Sequence, residues 1–233
     1  MAGGGGATYT QTRFRFRNDD GSETSATWQA NENTNATIPL DTNFRVRIQS
    51  KWTAVLADTP LVFNLYYSLN GGSYTAVSGT SPVKFSATSN YADGDDSTSQ
   101  LTGEVGFTYL TNNNGMKESI GGVSLTVSAN QYFDSEWCLK LDSAQVSSDD
   151  TLDFRIYRGT TALNSYTVTP RATATSGSSQ TLTLTCAAGS YSLTGTNADL
   201  TVTRHYTLTC EAGSYALTGT NADLTVTRHY TLT

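Results

Sequence analysis

The chain has 233 residues, a net charge of −6 and only 15% charged residues, with threonine present 40 times. A net negative charge disfavours a nucleic-acid or anionic-membrane partner. The length fits one large β domain or a β domain with an appendage.

Threonine is β-branched and suits a pleated, half-exposed surface. No window keeps a helical period, so composition and pattern read together as all-β. The first residues, "MAGGGGA", make a glycine-rich arm over 1–7 with no basic region leading into an apolar run, so no secretory signal is expected. No apolar stretch reaches the roughly 20 residues of a membrane helix. Synthesis in the cytoplasm is the expectation. Cys138, Cys186 and Cys210 form no CxxC or CxxH pair, which argues for free, reduced thiols rather than zinc or redox chemistry.

From 8 to 173 the text consists of short alternating strands between turn signals. "TYTQTRFRFR" alternates strictly, with Phe14 and Phe16 inward and Arg13, Arg15 and Arg17 outward, before "NDDGSE" turns the chain. "NFRVRIQ" repeats the pattern: Phe44, Val46 and Ile48 inward, Arg45 and Arg47 outward. "LVFNLYYSLNGGSYTAVS" predicts a hairpin about Asn70-Gly71-Gly72. "EWCLKLDSAQVSSDDTLDFRIYRG" and "ALNSYTVTP" predict three further strands. The expected core holds Phe14, Phe16, Phe44, Val46, Ile48, Leu65, Leu139, Leu141, Phe154 and Ile156. Strands at this spacing predict an immunoglobulin-like β-sandwich. The glycine- and asparagine-rich middle, "SATSNYADGDDSTSQLTGEVGFTYLTNNNGMKESIGGVS", reads as long loops and a hairpin inserted between strands.

A linker is expected over 174–181, and beyond it, over 182–233, a repetitive β-strand region. Residues 184–207 and 208–231 match with a period of 24 and differ only at Ala187/Glu211 and Ser192/Ala216. Each unit reads as a long strand, a turn, a short strand and a turn. Leu200, Val202, Tyr206 and Leu208 line one face of the long strand, as do Leu224, Val226, Tyr230 and Leu232 in the second copy. One unit orders more chain than its apolar side chains compensate, since each side chain is worth roughly 1.5–3 kcal/mol and each ordered residue costs roughly 1.5 kcal/mol. Repeat arrays need about three stacked units. Those eight residues are therefore the expected assembly surface, buried against other copies, most simply in a homotrimer of intertwined strands.

Reactive constellations are sparse. His205 and His229 occupy one repeat position among threonines, without the nucleophile or carboxylate that a catalytic histidine needs beside it. No GxSxG, HExxH or phosphate-loop pattern is present. No enzyme activity, catalytic residue or cofactor is expected. Asp93, Asp95 and Asp96 in "NYADGDDSTSQ" are the one candidate for a hard cation, though the spacing is not that of an EF-hand loop and a solvated acidic turn explains them equally. The arginines of "RFRFR" and "RVR" read either as sheet-surface charge paired with Asp19, Asp20 and Glu23 or as a basic stripe for an acidic partner. Trp28, Trp52 and Trp137 read as core, or as platforms for sugars.

Several stretches resemble a module that recurs in proteins of tailed phages, prophages and marine metagenomes, often among virion structural genes. They are "FRFRNDDGSETSATWQANENTNATIPLDTNFRVRIQ", "LYYSLNGGSYTAV", "ADGDDSTSQLTG", "EWCLKLDSAQVSSDDTLDFRIYRG" and "YTVTP". The unit "EAGSYALTGTNADL" is similar to a short β-repeat at the C-termini of such proteins. The resemblance implies a virion surface component: a capsid decoration protein, head fibre or tail fibre. It implies partners among other virion proteins and copies of itself, and supplies no catalytic residues. Two other readings stand beside it. One is a carbohydrate- or receptor-binding adhesin using tyrosine and tryptophan on surface glycans. The other is an extracellular filament whose subunits join by β-strand augmentation.

Overall fold

The computed structural model describes residues 8–53, 61–176, 191–193 and 215–217. The chain divides into two compact units, Met1–Ser179 and Gln180–Thr233. No helix occurs among the described residues, and the fold is all-β.

In the first unit the chain runs through β1 (Thr8–Asn18), β2 (Ala36–Pro39), β3 (Asn43–Thr53), β4 (Leu61–Leu69) and β5 (Thr75–Ala76). It continues through β6 (Val83–Phe85), β7 (Thr108–Tyr109), β8 (Met116–Lys117), β9 (Val123–Leu125) and β10 (Gln131–Leu141). It closes with β11 (Thr151–Arg158), β12 (Thr161–Ala162), β13 (Ser165–Tyr166) and β14 (Arg171–Thr175). These strands form two sheets. The first has the order β13-β1-β3-β10, with β6, β8 and β7 sharing the outer edge of β10. The second has the order β2-β14-β11-β4, with β5 and β9 on the outer edge of β4 and β12 beside β11. Short pieces therefore cover each long outer strand, which is how sheets avoid offering an open edge.

The sheets pack face to face in a sandwich-like arrangement. All ten residues expected in the core are buried, joined by Tyr9, Trp52, Phe63, Phe133, Trp137 and Leu152. The predicted hairpin is present. Asn70 and Gly71 both take positive φ, 50° and 74°, and the Gly72 amide donates to the Leu69 carbonyl at 2.9 Å. That is the two-residue turn whose twist suits a hairpin, and asparagine and glycine tolerate it best.

Four details differ from the sequence expectation. First, β1 does not alternate strictly: its register with β3 shifts between Gln11 and Arg13. The extra residue, Thr12, lets Tyr9 at an odd position share the core side with Phe14 and Phe16 at even ones, which only a bulge permits. The Gln11 side chain is also buried there, where it accepts from the Ile156 amide (2.9 Å) and donates to the Val168 carbonyl (3.0 Å). Second, the middle segment contains no hairpin. β7 and β8 each add parallel to β10, and do not pair with each other. Third, "ALNSYTVTP" is not one strand. Thr161–Ala162 pairs with β11, and Ser165–Tyr166 crosses to pair with β1. Fourth, residues 174 and 175, placed in the linker on composition, belong to β14, which pairs parallel with β2 and antiparallel with β11.

In the second unit two strands are described, β15 (Tyr191–Leu193) and β16 (Tyr215–Leu217). They pair in parallel, with Tyr191 opposite Tyr215, Ser192 opposite Ala216 and Leu193 opposite Leu217.

Candidate functional site

The most elaborate constellation lies on the face of the first sheet turned away from the apolar core. Alternation puts Arg13, Arg15 and Arg17 of β1, Arg45, Arg47 and Gln49 of β3, and Asp134, Glu136 and Cys138 of β10 on that side. Register sets Arg17 opposite Arg45, Arg15 opposite Arg47 and Glu136 opposite Arg47. Like charges facing each other across strands are unfavourable. The layer is viable because carboxylates from three parts of the chain are drawn into it.

Glu136 is the hub. Its carboxylate accepts from Arg47 Nε at 2.6 Å, Arg17 NH1 at 3.3 Å and Arg45 NH1 at 3.4 Å. Arg45 also holds Asp19 (Nε to Oδ1, 2.8 Å) and donates to the Gly21 carbonyl at 2.6 Å. Arg47 reaches Glu23 at 2.5 Å and the Thr98 carbonyl at 2.7 Å, with Asp134 at 3.6 Å. Arg17 donates to the Ala26 carbonyl at 2.7 Å and lies over the Trp28 ring at 4.1 Å. Arg15 shares that ring at 4.5 Å and donates to the Ala30 carbonyl at 2.7 Å.

These groups are not on the surface. Arg17, Arg45, Arg47, Asp134 and Glu136 are each at most 1% exposed. This overturns the reading of the arginines as a solvent-facing stripe. The pairing with Asp19 and Glu23 is present but buried, and Asp20 instead accepts from the Thr27 amide at 2.8 Å. What buries them is the segment 86–118, laid over the sheet. Thr98 and Gln100 donate to Glu23, Thr88 and Asn90 donate to Asp19, and the Tyr91 ring lies 4.8 Å from the Arg45 guanidinium. Asn113 pins this cover to itself. Its side-chain oxygen accepts from the Ser97 and Gly115 amides, and its nitrogen donates to the Leu110 carbonyl. Gly115 lies so close to the sheet that a Cβ there would stand 2.7 Å from the Asp134 carbonyl oxygen.

Burial and pairing compete at each member. Burial drives Asp134 up to about 6, with Arg47 pulling it back. Burial also works against the Asp19 and Glu23 carboxylates, but Arg45 and hydrogen-bond donors on the first, and Arg47 and Thr98 on the second, hold both below their ordinary values. Burial lowers Arg17, against the pull of Glu136. For Arg47 burial is outweighed by Glu136, Asp134 and Glu23, so its charge is fixed. With three arginines and four carboxylates in mutual contact, the layer acts chemically as an ionic scaffold joining sheet and cover.

The candidate cation ligands do not converge. Asp93 is paired with Lys117 and accepts from the Glu118 amide, Asp95 accepts from the Ala92 amide, and Asp96 accepts from the Asn113 and Asn114 amides. Among the described residues no group of three or more such side chains is arranged to hold a metal ion. Each aspartate instead ties the cover to itself. Trp52 and Trp137 are core residues, and Trp28 is the cation-stacking ring already described. Cys138 is a buried free thiol directed at Asp19, 3.6 Å away, and burial raises its pKa. The expected assembly residues Leu200, Val202, Tyr206, Leu208, Leu224, Val226, Tyr230 and Leu232 lie outside the described residues, as do Cys186, Cys210, His205 and His229.

A second cluster escaped the sequence reading. On the outer face of the other sheet the Tyr66 and Tyr157 rings stack with centroids 3.9 Å apart. Beside them the Arg155 guanidinium lies 4.4 Å from both the Tyr74 and Tyr166 rings. Alternation in β4 and β11 carried the signal, since Leu65, Phe154 and Ile156 point inward and their neighbours must point out. Asp134 and Glu136 were legible in the same way, from "FDSEW". No protein-family model matches the chain, no curated protein matches it, and no solved structure matches its fold.

Proposed function

We propose that this chain is a non-enzymatic structural protein of a tailed-phage virion surface, in the manner of a capsid decoration protein, head fibre or tail fibre. Its first unit is the immunoglobulin-like body and its repeats make the β-strand contacts of assembly. The observation that carries the assembly part is the pairing of Tyr191–Leu193 with Tyr215–Leu217 in parallel, at the period of the repeat. Consecutive units that stack in register are the building principle of repetitive β structures. The ionic scaffold supports a role as a rigid body, because a fully satisfied buried polar network fixes one arrangement of the elements it joins. The virion part rests on the textual resemblance described above.

Light scattering on the full chain and on a chain ending at 207 tests assembly. The full chain is expected as an oligomer, a trimer in the simplest case, and the shorter chain as a weaker one. Equal copy number in both would remove the repeats from assembly. Peptide mass spectrometry of purified particles from the virus or prophage that encodes the chain tests location. Its absence from particles would remove the virion reading.

A second reading, an adhesin for surface glycans, is favoured by the Tyr66–Tyr157 stack with Arg155 beside it, since tyrosine and arginine are enriched where surfaces bind. A glycan array probed with the full chain and with Tyr157→Ala separates the two. Binding lost on substitution would favour the adhesin.

A further inference from the structure

The pairing of β15 with β16 has a symmetry that reaches beyond one chain. Each residue of Tyr191–Leu193 stands opposite the residue one repeat later, and the two strands run in the same direction. A parallel, in-register ladder is built by translation. The edge that β15 turns toward β16 is matched by the edge that β16 turns toward β15, and near-identical repeats carry near-identical edges. The outer edge of Tyr215–Leu217 therefore offers the same backbone donors and acceptors as the paired edge of Tyr191–Leu193. The outer edge of Tyr191–Leu193 likewise repeats the paired edge of Tyr215–Leu217. Among the described residues no strand occupies either outer edge.

We infer that these two edges bind each other between chains, so that Tyr215–Leu217 of one copy pairs in parallel register with Tyr191–Leu193 of a second copy of this chain. The occupant follows from the register. A second copy reproduces a pairing the chain already makes with itself, tyrosine position against tyrosine position and leucine against leucine. An antiparallel or two-fold contact would set tyrosine positions against leucine. A contact between two different edges is heterologous, and a translational one does not close on itself. The consequence is head-to-tail growth without a fixed copy number, unlike the closed trimer expected from the sequence. The inference rests on the assembly part of the proposed function and is independent of the virion part.

Directed disulfide formation tests it on the full chain. In a Cys186→Ser/Cys210→Ser background, one preparation carries Ser192→Cys and another Ala216→Cys. Paired strands lie roughly 4.8 Å apart, within the Cα separation a disulfide spans. After mixing and mild oxidation, peptide mapping is expected to find 192–216 links between chains well above 192–192 or 216–216 links. Light scattering is expected to show a broad, concentration-dependent mass. The double variant Ser192→Cys/Ala216→Cys at high dilution reports whether the internal pairing is intact, through its link within one chain. Given that link, three results overturn the inference. Like-with-like links in excess mean a symmetric contact. Absence of interchain links in a sample that is still oligomeric means assembly through another surface. Absence of links in a monomeric sample ends both this inference and the assembly reading.

Discussion

Glu136 and Asp134 lie two residues apart on one face of β10 and behave differently. Glu136 receives three guanidinium groups, so Glu136→Gln leaves buried cations without their shared counter-charge. Breaking one side of a buried pair costs about 3–5 kcal/mol, and a urea melt should show a loss of that size. An unchanged midpoint would mean that solvent reaches the layer. Asp134 titrates in reach of ordinary buffers. Its folded pKa, about 6, lies above the model value of 3.8. Between those values the folded protein keeps a proton the unfolded chain has released, so this group's stabilisation is lost as pH rises through the window. Asp19 and Glu23 have depressed values and act in the opposite sense, losing their contribution as pH falls. In Asp134→Asn the first effect is gone and the second remains. The Tm of the variant relative to the parent is therefore expected to climb from pH 4 to pH 7, and a constant offset would contradict the assignment. Gly115→Ala puts a methyl against the Asp134 carbonyl. Forced overpacking of this kind costs about 1–3 kcal/mol, readable in the same melts.

At the scale of elements the bulge in β1 decides which side chains meet the core. Deleting Thr12 restores strict alternation and turns Tyr9 and Gln11 away from the side shared by Phe14 and Phe16. The expected result is a shift of the denaturation midpoint larger than any single substitution above gives, and an unaltered midpoint would mean the register simply slides. The bulge shows where sequence reasoning stopped. Alternation identified the ten core residues, because period-two burial is written into Phe14/Phe16, Phe44/Val46/Ile48 and Phe154/Ile156. The same rule assigned Arg45 and Arg47 to the opposite face, correctly. It had no means of saying that this face is covered, since the cover at 86–118 is held by side-chain bonds from Asp93, Asp96 and Asn113 and has almost no period of its own. Burial of a charged face is a tertiary event, and "RVR" reads alike in both cases. The tyrosine–arginine cluster was hidden for a related reason. Tyr66 and Tyr157 become neighbours only once β4 and β11 pair, with Tyr157 opposite Asn64 and Arg155 opposite Tyr66.

For the molecule as a whole, a chain ending at 176 should keep the first unit intact, because every sheet partner described for β1 to β14 lies within it. Its near-UV circular dichroism is expected to match that of the full chain apart from the missing tail tyrosines. A collapse of that signal would show that the second unit completes the first. The pairing of early strands with late ones also has a consequence for synthesis. β1 waits for β13, and β2 waits for β14, while Arg17, Arg45 and Arg47 wait for Glu136. A ribosome delivers the arginines long before their counter-charge. Until Thr175 has cleared the exit tunnel, no subset of strands can settle both sheets, and the nascent chain carries an unneutralised basic surface. Contacts so distant in sequence make folding slow and leave strands exposed meanwhile. Shortened products released early from translation are therefore expected to be insoluble rather than partly native, which a series of stalled chains assayed by protease protection would reveal as one late, single step.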